Sequence, residues 1–162
     1  DSPDLPGQYF PPQGREHLAR GTVRPICEEG ATDTSNCYNS NPPTSGPHDP
    51  VALDWGIYST PQPKERAVHS MEHGGVIIWY NCVSDRCKNE IVPQLEQLMD
   101  EFEKDRRLMV MMPYPDMEPD TVALTAWTRL DKFSIDQFDP DRIRRFVEKH
   151  ERRFNPEDMP PL

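Results

Sequence analysis

The sequence predicts an α/β fold: a β-α-β-β-α core preceded by an irregular, proline-rich N-terminal half. Three observations carry this reading. Eleven of the 19 prolines fall in residues 1–63, interleaved with Gly, Ser, Asn and Asp, and a segment so punctuated builds little regular structure. From residue 64 onward, short apolar runs rich in β-branched and aromatic residues alternate with stretches of helical spacing. The chain has 162 residues, 35% of them hydrophobic, which suits one domain with a modest core better than two. The expected division is a proline-rich extension over 1–37, a single α/β domain over 38–155 and a C-terminal tail over 156–162.

Each element has its own signal. The first half is expected to wrap irregularly around the later domain. Residues 64–73 are a candidate short helix ended by Gly74 and Gly75, one of them in the left-handed conformation that stops helices. "GVIIWYN" (75–81) reads as a buried strand. "NEIVPQLEQLMDEFEKD" (89–105) sets Ile91, Val92, Leu95, Leu98, Met99 and Phe102 at helical spacing, with Pro93 tolerated in the first turn. "RLMVMMP" (107–113) is a second strand and "TVALTAWTRL" (121–130) a third. "DPDRIRRFVEKHERR" (139–153) opens with Asp139 as N-cap and Pro140 at the first helical position, and turns Ile143, Phe146 and Val147 inward.

Charge and cysteine usage restrict the function classes. A net charge of -10 argues against nucleic acid as a partner, because the chain lacks the basic surface that neutralises phosphates. No stretch approaches the roughly 20 apolar residues that cross a bilayer. The four cysteines fall into two local pairs, Cys27 with Cys37 and Cys82 with Cys87, which suits two disulfides ahead of free thiols or a four-cysteine zinc site. The expected compartment is oxidising and extracytoplasmic: periplasmic, secreted or membrane-tethered. The start at Asp1 reads as that of a processed chain.

Two resemblances follow from quoted stretches. "VIIWYNCVSDRCKNEIVPQLEQL", a strand running into a cysteine loop and then a helix, resembles the thioredoxin-like superfamily over residues 75–153. It implies a thioredoxin-like core, and it raises a thiol-disulfide oxidoreductase using Cys82 and Cys87. The four residues between those cysteines depart from the C-x-x-C dithiol, which favours a structural disulfide. "YNSNPPTSGPH" (38–48), "GIYS" (56–59), "VHSMEHGGVIIWY" (68–80) and "LTAWTRLDKF" (124–133) together resemble a family of exported bacterial and archaeal proteins known as a domain of unknown function. That resemblance implies that residues 38–80 belong to the functional unit, and it supplies no activity.

Chemistry concentrates in "HSMEHGG" (69–75). His69 and His73 stand at i and i+4, which puts both imidazoles on one face of a short helix, within reach of one ion. His48, in the rigid turn "TSGPHDP", is the expected third ligand, since a preorganised imidazole loses less entropy on binding. Three neutral imidazoles suit copper, with zinc as the alternative. Glu72 is expected to orient a ligand, and His17 and His150 to contribute little. The letters H-x-x-E-H also match the inverzincin arrangement, but a two-turn helix running straight into a core strand lacks the scaffold of a protease. Most of the seven methionines read as core packing; Met71, Met109 or a water is the expected fourth partner, and Met117 lies at the wrong end of the sheet. The function expected is therefore an exported metal-binding protein in metal handling or electron transfer. The alternatives are the oxidoreductase and a non-catalytic accessory subunit of a membrane complex.

Overall fold

The computed structural model describes residues 4–156. Residues 1–3 of the expected extension, and 157–162 of the expected tail, lie outside them. In chain order the elements are β1 (Gln8–Tyr9), β2 (Gly56–Ile57), α1 (Lys64–Glu72), β3 (Val76–Asn81), α2 (Val92–Lys104), β4 (Met109–Pro113), β5 (Thr121–Ala126), β6 (Arg129–Ser134) and α3 (Pro140–His150). A π-helical turn, Cys87–Ile91, leads into α2.

The strands form one mixed sheet in the order β1-β6-β5-β3-β4-β2. At its centre β3 runs parallel to β4, with Ile78 opposite Met111, and antiparallel to β5, with Ile78 opposite Leu124. A parallel neighbour requires a crossover, and α2 provides it. Alternation along β3 then assigns the two faces. Val76 and Ile78 point to the face covered by α2 and α3, where Leu95, Phe102, Ile143 and Phe146 pack. Ile77 and Trp79 point to the opposite face, which carries Ala67, Val68 and Met71 of α1 together with Tyr38 and Leu53 of the irregular half. Burying a large apolar side chain contributes about 1.5–3 kcal/mol. The irregular half therefore supplies one wall of the core and is not an appendage.

Three helix boundaries follow local chemistry. Asp139 caps α3, its side chain accepting from the Asp141 N–H at 3.0 Å, and Pro140 takes the first position. Pro93 sits in the first turn of α2. Helix α1 ends in a Schellman motif: the Gly74 N–H donates to Met71 O at 3.0 Å and the Gly75 N–H to Ser70 O at 3.0 Å. Gly74 has φ +95°, and a Cβ on Gly75 would lie 2.4 Å from the Trp55 ring, so one glycine is required for its dihedral and the other for close approach.

The run expected as a single third strand over 121–130 is instead a hairpin, so the observed order is β-α-β-β-β-α. The chain reverses at Trp127 and Thr128, with Thr128 at φ +70° and Ala126 paired to Arg129. No Gly, Pro, Asn or Asp marks this turn. It is held by its surroundings: the Thr128 N–H donates to Thr44 O at 3.0 Å, and the Trp127 ring stacks on Phe154 with centroids 4.7 Å apart.

Both expected disulfides are present, Cys27–Cys37 and Cys82–Cys87, with no free cysteine. They favour an oxidising, extracytoplasmic location. Among the described residues no helix is long and apolar enough to cross a membrane.

Candidate metal centre

The site lies where the C-terminal end of α1 meets two segments of the irregular half. His69 and Glu72 are three residues apart and share one face of α1, with His69 Nε2 4.0 Å from Glu72 Oε1. His48 enters from the preceding loop. Gly46 has φ +112°, and the Tyr38 hydroxyl donates to Pro47 O at 2.5 Å, which fixes the turn. His48 is then gripped through its backbone on both sides: its N–H donates to Glu16 O at 3.0 Å and its carbonyl accepts from the Leu18 N–H at 2.7 Å. That short parallel bridge sets His17 beside it, with ring centroids 5.2 Å apart.

His17, His48, His69 and Glu72 each bring one donor atom into a group whose members lie within 4.8 Å of one another. His48, His69 and Glu72 are buried, at 0%, 7% and 4% exposure, while His17 is exposed. This His-His-His-Glu group could hold a metal ion. Tetrahedral ligands at about 2.0–2.1 Å from an ion stand about 3.3 Å from each other, and His48 Nε2 lies 3.4 Å from Glu72 Oε1.

Hydrogen bonds from outside the group orient it. His48 Nδ1 faces Gly46 O at 2.9 Å, and His69 Nδ1 faces Asp49 O at 2.7 Å. A carbonyl only accepts, so these contacts assign the proton to Nδ1 in both rings and leave each Nε2 with a lone pair, which on His69 accepts from His73 Nε2 at 3.1 Å. This is the way metal-binding imidazoles are usually steadied. Burial holds the His48 imidazole below its ordinary pKa, against the raising effects of the Gly46 hydrogen bond and the nearby Glu72 carboxylate, and so disfavours the charged ring. Asp49 is itself anchored. Burial works to raise its pKa, but hydrogen bonds from the Gly21 and Val51 N–H groups and the Arg20 guanidinium hold the carboxyl below the usual range.

The consequence is two buried atoms without partners. Neither His48 Nε2 nor Glu72 Oε1 has a hydrogen-bond partner among the described residues, and burying such a group unsatisfied costs about 1–3 kcal/mol. A cation between them would satisfy both.

His73 stands at the C-cap of α1, half-buried, with its Nε2 3.1 Å from His69 Nε2. The structure thus brings His48, His69 and His73 into one neighbourhood, His73 touching the group through His69. It also adds two residues that the sequence did not mark as ligands, Glu72 having been expected only to orient one. Glu72 brings a carboxylate oxygen into the group itself, which the i, i+3 spacing from His69 could have signalled. His17 carries no such signal, because it is placed by pairing between segments remote in sequence. The methionines named as fourth partners lie elsewhere: Met71 is fully buried against the sheet with Trp79 and Met112, and Met109 packs on the opposite face with Val76 and Ile78.

A family profile matches residues 30–160, described as protein of unknown function (DUF3105). The chain belongs to this family. No curated protein and no solved structure matches it. The matched span contains His48, His69, Glu72 and His73, and His17 lies outside it.

Proposed function

We propose that this DUF3105 chain is an exported metal-binding protein, periplasmic, secreted or membrane-tethered, whose ion is copper, with zinc as the alternative. The ligands are drawn from His48, His69 and His73, joined by Glu72 and His17. The observation that carries this reading is the buried contact between His48 Nε2 and Glu72 Oε1, two lone-pair-bearing atoms 3.4 Å apart with no proton donor between them. Imidazole nitrogen suits copper and zinc alike, and an added carboxylate is compatible with both. The role is metal handling or electron transfer, and handling implies a partner that gives or takes the ion, such as a subunit of a membrane-bound complex. The Cys82–Cys87 disulfide acts as a structural fastener in this scheme, since Cys87 is fully buried and thiol exchange needs access to sulfur.

Metal analysis of the full chain, purified without chelator or His-tag, tests the reading. We expect one equivalent of copper or zinc per chain, lost in His48→Ala. A metal-free protein that also fails to take up either ion on titration would overturn it.

A further inference from the structure

We infer that the site is built for a divalent ion, copper(II) or zinc, against monovalent copper, and that Glu72 sets this preference. The inference rests on the metal-binding reading above and goes beyond it by fixing the charge state of the ion. Copper meets proteins in two states with opposed tastes: Cu(I) favours soft sulfur, whereas Cu(II) accepts nitrogen and oxygen. The four grouped donors are three imidazoles and one carboxylate oxygen. None of these four donors is sulfur. All four cysteines are in disulfides, and Met71, the methionine next to Glu72 in sequence, is fully buried against Trp79 and Met112 on the sheet side of α1.

Charge points the same way. Glu72 is the one anionic group among the four donors and is 4% exposed. Its attraction for an ion scales with the ion's charge and is amplified where water is excluded. Its neighbour Arg15 approaches the other carboxylate oxygen, Oε2, at 3.7 Å from an exposed position. That contact leaves Oε1, the atom facing His48, for the ion.

The test uses the full chain stripped of metal by chelator, loaded with one equivalent of Cu(II), and followed by the visible Cu(II) absorption. Zn(II) and Ag(I) are the competitors, Ag(I) standing in for Cu(I) because it is monovalent, soft and stable in air. Because Cu(II) outranks Zn(II) at a nitrogen and oxygen site, we expect Zn(II) to displace it only at large excess, and Ag(I) to need at least about 100-fold more than Zn(II). In Glu72→Gln, the lost Coulomb energy is twice as large for the divalent ions. A roughly tenfold loss for Ag(I) should therefore accompany a roughly hundredfold loss for Zn(II). Glu72→Asp keeps the charge and should keep the order of preference, which separates charge from misfolding. Ag(I) competing as well as Zn(II), or Glu72→Gln weakening both equally, would overturn the inference while leaving a metal site in place. A chain that binds neither Cu(II) nor Zn(II) would instead remove the reading on which it rests.

Discussion

His48 Nε2 and Glu72 Oε1 face each other at 3.4 Å in a buried space, and neither is hydrogen bonded among the described residues. Two electron-rich atoms so placed repel until a positive charge lies between them. The turn holding His48 and the helix holding Glu72 are each fixed by their own backbone bonds, so the two cannot simply move apart. The loaded protein should consequently be the more stable one. With ion in excess, a site filled at about 100 times its Kd adds about 2.7 kcal/mol, and the melting temperature should rise with Cu(II) or Zn(II) concentration. Scanning calorimetry at several ion concentrations checks this; an unchanged transition would remove the site.

Individual ligands should contribute unequally. His48→Ala and His69→Ala remove buried imidazoles whose Nδ1 atoms are already engaged, and each should cost more than tenfold in affinity, on the order of what steadied ligands contribute. His17→Ala, at an exposed position, should cost less, and His150→Gln nothing measurable. Isothermal titration of the four variants gives the order; equal losses would indicate scattered surface binding.

Metal affinity should fall with pH through the histidine range, because a protonated imidazole has no lone pair to donate. Equilibrium dialysis between pH 7.5 and 5 is the measurement, and release should be complete well above the pH at which the fold is lost.

Fold stability has its own acid-sensitive group. His150 is 1% exposed, its Nε2–H donating to Pro6 O at 2.8 Å and its Nδ1 accepting from Arg153 Nε at 2.9 Å. Burial, with Arg153, Arg129 and Arg145 nearby, pushes its pKa down to about 4. The folded value lies below the unfolded one of about 6.5, so the folded state binds this proton less readily. Stability from this residue is complete above pH 6.5 and declines as pH falls toward 4, by up to about 1.4 kcal/mol per pH unit. Urea unfolding at pH 7 and pH 5 should show the loss, and His150→Gln should reduce the difference.

Gly75→Ala should destabilise the fold by about 1–3 kcal/mol, the usual cost of overpacking, because the new Cβ would sit 2.4 Å from Trp55 and 3.0 Å from Ser70 O. It should also loosen metal binding, since the same turn ends the helix that carries His69 and Glu72. Denaturant melts and ion titration on one sample test both effects.

The parts of this fold that were legible in the sequence are those governed by local rules. The Asp139-Pro140 start, the stop at Gly74 and the buried run of β3 each depend on residues within a turn of one another. The hairpin at Trp127 and Thr128 was not legible, because its turn residues carry no intrinsic signal and Thr128 adopts a left-handed backbone under the hold of Thr44. The same divide runs through the site. His69 and His73 announce themselves by spacing, and His48 by its rigid turn, whereas His17 arrives through a two-residue bridge between segments whose pairing nothing local dictates.

That bridge has a mechanical consequence. The two disulfides close loops spanning 10 and 5 positions, each stapling a segment to itself. An ion shared by His17, His48 and His69 would instead tie three distant stretches of chain at one knot, and the entropy removed by closing a loop grows with its length. The metal would then be the chain's longest-range cross-link, holding the irregular half against helix α1 by a bond that can be made and undone without redox chemistry.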